Sequence, residues 1–203
     1  MRARALLLHG LAKPVVFGLM LVPLLWLLYA ALANRLGANP AEALIRATGD
    51  WTLRALCLVL ALTPARVITG TPALARFRRM LGLFVYFYAT VHLLSYSGFD
   101  MGFEAIDIAK DIGKRPFILV GFSAFVLLCA LALTSFNRAI KALGAKRWQR
   151  LHRLIYLIAA LAVLHFFWMR AGKHNFAEVL VYACILALLL GWRAVRFLKK
   201  SGA

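Results

Sequence analysis

FILVGFSAFVLLCALALTSF, residues 117–136, is twenty residues without a charge. A helix of that length spans about 30 Å, the thickness of a bilayer's hydrocarbon core. Lys114-Arg115-Pro116 opens the stretch, and Arg138 follows soon after it. Reading outward, five more runs of this kind predict membrane-crossing helices at roughly 14–33, 51–69, 80–98, 151–169 and 177–195. Helix breakers lie at the joints: Gly37 and Pro40, Gly70 and Pro72, Gly113 and Pro116, Gly144, Gly172. Pro14 suits a helix start. Pro23 and Pro64 fall inside runs, where neighbouring helices can satisfy the freed carbonyls.

The composition fits this reading. Of 203 residues, 64% are hydrophobic and 16% charged, and the mean hydropathy is +0.81. A soluble domain has about 45–50% apolar and about 25% charged residues. The apolar content excludes a disordered chain and argues against a nucleic-acid binder. The expected fold is an all-α integral membrane protein with six transmembrane helices in one domain, residues 1–203. Arg2 and Arg4 precede the first run, and Ala31-Leu32-Ala33 looks like a signal-peptidase site. A signal h-region is only about 7–15 residues, so the first run is read as a retained span.

The net charge is +18, from 25 Lys and Arg against 7 Asp and Glu. With the N-terminus in the cytoplasm, the inner side takes Arg2, Arg4, Lys13, Arg66, Arg76, Arg78, Arg79, Arg138, Lys141, Lys146, Arg147, Arg150, Arg153, Arg193, Arg196, Lys199 and Lys200. The outer side takes the other cations and all the acids: Glu42, Asp50, Asp100, Glu104, Asp107, Asp111 and Glu178. The positive-inside rule then predicts both termini in the cytoplasm. The basic clusters serve topology and attract anionic lipid. They would also suit an anionic cofactor or partner on the inner side.

Cys57, Cys129 and Cys184 stand singly, with no CxxC or CxxCH motif, and read as apolar filler. Of the five histidines, His9 and His174 read as solvated. His92 and His165 lie within apolar runs, where an ionisable group is costly. From Met80 and Leu151, they lie about 18 Å and about 21 Å along parallel-running spans. Two readings stand. Each is a hydrogen-bonded core histidine, or the pair are axial ligands to a metal porphyrin in an apolar slot. Tyr86, Tyr88, Phe166, Phe167 and Trp168 are close in sequence and suit such a slot. His152 lies at the inner end of span five, thirteen residues or about 20 Å from His165 and about 140° round an ideal helix. No histidine at the inner end of span three pairs with it; Arg76, Arg78 and Arg79 are there instead. His152 is therefore left as a single haem ligand, a quinone contact or a neighbour of a flavin. Lys146, Arg147, Trp148, Gln149 and Arg150 around it suit a flavin phosphate and ring as well as an ordinary membrane interface.

Several strings occur in order: Arg78-Arg79-Met80-Leu81-Gly82-Leu83, Ala89-Thr90-Val91-His92-Leu93-Leu94-Ser95-Tyr96, Lys114-Arg115-Pro116-Phe117, Lys146-Arg147-Trp148-Gln149-Arg150-Leu151-His152 and Leu164-His165-Phe166-Phe167-Trp168. Together they resemble the MsrQ (YedZ) family, over essentially the whole chain. This family is the haem-binding membrane subunit of the bacterial MsrPQ methionine-sulfoxide reductase system, and its core is similar to the ferric-reductase transmembrane domain. The resemblance implies a six-span haem b protein of the bacterial inner membrane. It implies His92, His165 and His152 as haem-associated residues; the departure from the four-histidine ferric-reductase pattern is the missing histidine at the inner end of span three. It implies electrons from the quinone pool, or from a cytosolic flavin reductase through FMN, and delivery to MsrP, a periplasmic molybdopterin enzyme. Arg78, Arg79, Arg147, Trp148, Gln149 and Arg150 are the candidate flavin or quinone face. Outer segments 34–50, 99–116 and 170–176 are the expected docking surface, with Arg170 and Lys173 as candidates for haem propionates. No GxGxxG follows a strand, so the chain is read as an electron conduit and not a complete catalyst. The alternative is a stand-alone transmembrane ferric or quinone reductase with the same haem core.

Overall fold

The computed structural model describes residues 6–172 and 174–201. They form α1 (Ala12–Leu32), α2 (Pro40–Ile68), a 3-10 helix (Pro72–Phe77), α3 (Arg78–Phe99), α4 (Ala105–Lys114), α5 (Pro116–Leu133), α6 (Asn137–His152), α7 (Ile155–Ala171) and α8 (Ala177–Ser201). All are helical, and six helical stretches are long and apolar enough to cross a bilayer. Few of their residues are buried by protein: the share across the apolar stretch is 11% in the last span and at most 33% in any of them. Leu32 is 87% exposed and Leu188 75%. Apolar area on that scale needs lipid around it, so the chain is a multi-pass membrane protein.

The chain divides into two compact units, residues 1–103 and 104–203. In the first, α2 packs along α3. Leu53, Leu56 and Leu60 recur at the spacing of one helix face, as do Leu81, Val85 and Tyr88, and all six are buried. Tyr88 also donates from its hydroxyl to the Met20 carbonyl at 2.6 Å, which ties α3 to α1. In the second unit α5 packs mainly on α7, burying Ala124, Leu128 and Leu131 with Ile158, Ala159 and Phe166.

Several boundaries differ from expectation. Segment 34–50, expected to be a loop, is helical from Pro40 onward. The Asn39 side chain caps this helix by accepting from the Glu42 amide at 3.1 Å, and Pro40 sits at its start. α2 therefore runs 29 residues, about 43 Å, and overshoots the hydrocarbon. Segment 99–116 also contains a helix, the amphipathic α4. The docking surface expected there is thus largely helical. The start expected at 151 moves to Ile155, because the chain breaks after His152. The angle drawn between His152 and His165 along one ideal helix therefore does not apply. Gly144 does break the chain: at φ +73° it kinks α6 in a conformation that only glycine adopts freely.

Candidate functional site

His92 and His165 have the same kind of seat, one in each unit. The Nδ1 of His92, on α3, donates to the Ile45 carbonyl of α2 at 2.8 Å. The Nδ1 of His165, on α7, donates to the Phe117 carbonyl of α5 at 2.6 Å. A carbonyl oxygen can only accept, so in the neutral form of either ring Nδ1 carries the proton and Nε2 the lone pair. Metal-ligating histidines show this arrangement, with one nitrogen anchored to a carbonyl and the other basic.

Each seat also has a glycine four residues beyond its carbonyl. A Cβ on Gly49 would stand 3.1 Å from His92 Cε1 and 3.2 Å from Nδ1. A Cβ on Gly121 would stand 2.7 Å from His165 Nδ1 and 2.8 Å from Cε1. The spacing has a physical reason. A helix carbonyl at position i already bonds the amide of i+4. At these two seats the imidazole lies over residue i+4 to reach the carbonyl, and a side chain there would meet the ring. The sequence reading missed Ile45, Gly49 and Gly121, and treated Phe117 only as the start of a span. For Gly121 the available signal was a glycine inside an otherwise unbroken apolar run; Gly49 lay in a segment read as a loop and gave none.

His152 is held differently. The Thr134 hydroxyl lies 2.7 Å from the Ala130 carbonyl, to which it gives its proton, and accepts from His152 Nε2 at 3.1 Å. Trp148 stacks on the His152 ring with centroids 4.0 Å apart and donates Nε1–H to the Thr134 carbonyl at 2.9 Å. Trp148, Thr134 and His152 thus form one cluster joining α5 to α6, with Nε2 of the histidine committed to Thr134.

The remaining candidates are dispersed. Arg78 and Arg79 are exposed in the first unit; Arg147, Gln149 and Arg150 are exposed in the second. Tyr86 is half-buried, whereas Tyr88 is fully enclosed and stacks on Trp51. Phe166 packs against Tyr182 and Phe167 against Phe176, while Trp168 is 40% exposed. Tyr88, Phe166 and Phe167 thus each pack on a ring within their own unit. Arg170 pairs with Glu178 and lies over the Phe166 ring. Its Nε is the one buried side-chain nitrogen or oxygen without a hydrogen-bond partner among the described residues. Lys173 lies outside the described residues. Among the described residues, no three His, Cys, Asp or Glu side chains gather as ligands for a bare metal ion.

Residues 48–163 match the family described as ferric reductase like transmembrane component. A protein of Polaromonas naphthalenivorans, named protein-methionine-sulfoxide reductase heme-binding subunit MsrQ, is 74% identical over 92% of this chain and 85% of its own length. Proteins of the same name from Herminiimonas arsenicoxydans and Bordetella pertussis are 52% and 47% identical, over 89% and 96% of this chain and 83% and 94% of theirs. No solved structure matches. Matched over more than half its length by the first family and along nearly all of it by these relatives, the chain belongs to the ferric-reductase-like transmembrane proteins and, among them, to the MsrQ family.

Proposed function

We propose that this chain is the haem b subunit of a methionine-sulfoxide reductase system, relaying electrons across the bacterial inner membrane. The observation that carries the reading is the paired seat. His92 and His165, both in membrane-spanning helices, each give Nδ1–H to a backbone carbonyl and keep the lone pair on Nε2. Each ring, taken within its own unit, therefore suits a haem ligand. The glycine at each seat fits the same role, because it lets the imidazole lie against the neighbouring helix and fixes the ring's direction.

When bound, the haem supplies a one-electron couple that no side chain of this protein offers. The chain holds the two ligand rings, fixes their tautomer and keeps water out with apolar helices. Arg170 is assigned to a propionate on its partnerless buried Nε. His152, with Nε2 committed to Thr134, is assigned to stiffening the α5–α6 junction and not to this pair of ligands.

Orientation follows the basic bias, with both termini cytoplasmic. Electrons enter from the quinone pool, or from a cytosolic flavin reductase through FMN. Arg78 in the first unit, and Arg147, Trp148, Gln149 and Arg150 in the second, are separate candidates for contact with these donors. Delivery is to a periplasmic MsrP-type molybdopterin subunit that reduces methionine sulfoxide in oxidised proteins. Support comes from the relatives' names, which state haem binding and a subunit role for those proteins.

The test is absorption spectroscopy on protein purified from haem-replete cells. A Soret band and sharp reduced bands are expected in the parent, and loss of the low-spin spectrum in His92→Ala and in His165→Ala. A colourless parent would overturn the redox reading. Both variants keeping a normal low-spin spectrum would overturn the ligand assignment. Electron delivery to a purified MsrP-type subunit separates the relay from a stand-alone ferric or quinone reductase, which would turn over without it.

A further inference from the structure

The first unit contains a cavity of about 620 Å³ between the start of α1, the 3-10 helix and the first half of α3. Its lining has two ends. Lys13 and Arg79 stand in the first turns of α1 and α3, and Arg76 in the last turn of the 3-10 helix that leads into α3; Phe17, Phe84 and Phe87 lie further along α1 and α3. The rings form a wall, with Phe17 and Phe84 centroids 5.2 Å apart and Phe84 and Phe87 5.9 Å apart. Arg76 is fixed at the rim by donating from Nη1 to the Leu7 carbonyl at 2.7 Å. Every other lining residue is Ala, Leu or Met.

The chemistry of that lining selects a ligand. Three cations with no acid among the lining residues call for an anion. An aromatic and aliphatic wall running on from them calls for hydrocarbon. From Lys13 to Leu21, the deepest α1 residue in the lining, is about 12 Å along the helix. A flavin fits the cationic end by its phosphate but would leave its ring carbonyls and imide N–H facing side chains that cannot pair with them. A quinone is neutral and makes no use of three cations. We propose that this cavity binds an anionic membrane phospholipid, with the phosphate held by Lys13, Arg76 and Arg79 and an acyl chain along Phe17, Phe84 and Phe87. A basic pocket between membrane helices is a known setting for anionic headgroups. The basic bias places its mouth at the cytoplasmic leaflet. The site is independent of the haem reading; it requires only that the chain spans a membrane.

The test is native mass spectrometry of the full chain in neutral detergent, titrated with phosphatidylglycerol or phosphatidylcholine. Phosphatidylglycerol is expected to bind at one tight site and phosphatidylcholine at none. The triple variant Lys13→Gln, Arg76→Gln, Arg79→Gln is expected to weaken that site on the order of a hundredfold, from roughly fivefold per cation. A control triple with the same charge loss, Arg138→Gln, Lys141→Gln, Lys146→Gln, is expected to leave it within about twofold, since these residues are outside the cavity. Leu21→Trp keeps all three cations and narrows the apolar end; it is expected to weaken phosphatidylglycerol severalfold, and unchanged binding would overturn the acyl-chain wall. This variant keeps the test sharp if the triple does not fold. Equal loss in both triples would reduce the site to general surface charge and overturn the proposal. So would displacement of the lipid by inorganic phosphate, FMN or ubiquinone at equal concentration, each of which names a different occupant.

Discussion

The seats of His92 and His165 follow one plan with different tolerances. Both use a helix carbonyl and a glycine four residues on. The His165 seat is tighter: its hydrogen bond is 2.6 Å against 2.8 Å, and a Cβ on its glycine would come to 2.7 Å against 3.1 Å. The His92 seat has an added contact, since the Thr48 hydroxyl oxygen lies 3.5 Å from His92 Nδ1. Thr48 is buried and gives its own proton to the Leu44 and Ile45 carbonyls at 2.8 and 2.9 Å. One ring is held by close fit and the other by a looser fit with a second acceptor. Two compact units thus reach the same imidazole tautomer by unequal means.

The comparison can be broken most directly by removing the rings. His92→Ala and His165→Ala are each expected to abolish the low-spin haem spectrum, because neither seat can stand in for the other. Next come the glycines. Gly121→Ala is expected to push His165 off its carbonyl and lower haem affinity by about tenfold or more, the scale of a lost outer-shell partner. Gly49→Ala is expected to cost less, because a Cβ at 3.1 Å asks the ring to give by only a few tenths of an ångström. Haem-to-protein ratio and reduced-band position are the readouts, with helical circular dichroism as the control for folding. An equal or larger effect at Gly49 would end the distinction between tight and loose seats.

His152 supplies the contrast outside the pair. Thr134→Val is expected to cost about 1 kcal/mol of stability through the lost hydrogen bond and to shift Trp148 fluorescence, with the haem spectrum unchanged. A changed spectrum would bring His152 into the ligand set. The smallest effect belongs to Thr48→Val, which removes the added acceptor at nearly constant volume. It is expected to move the reduced bands slightly and to leave haem content intact. A full loss of haem would show that the carbonyl alone does not hold His92.

Much of the fold was legible from residue spacing. The six apolar runs matched real helices because the bilayer demands about twenty apolar residues whatever the helices pack against. The errors came where helix continued through polar sequence. Asn39 and Pro40 start α2 well before its apolar part, and α4 is a helix too amphipathic to read as a span. His92 and His165 were legible because buried imidazoles are rare in apolar runs. Tyr88 and Phe166 were read as slot lining from proximity in sequence, yet their side chains turn toward Met20 and Tyr182.

Length, apolar spacing and the bias of Lys and Arg were enough, without coordinates, to specify a six-helix membrane chain, its expected orientation and the two histidines. Each of these depends on a residue and its chain neighbours in a bilayer. The proton on Nδ1, the closeness of Gly49 and Gly121 to the rings and the Thr134 and Trp148 contacts of His152 were beyond that reading. They depend on which carbonyl of which other helix lies beneath a ring, and helix pairing places Ile45 under His92 and Phe117 under His165. A contact across 47 or 48 residues leaves no periodic trace in the chain, because only packing brings its two ends together.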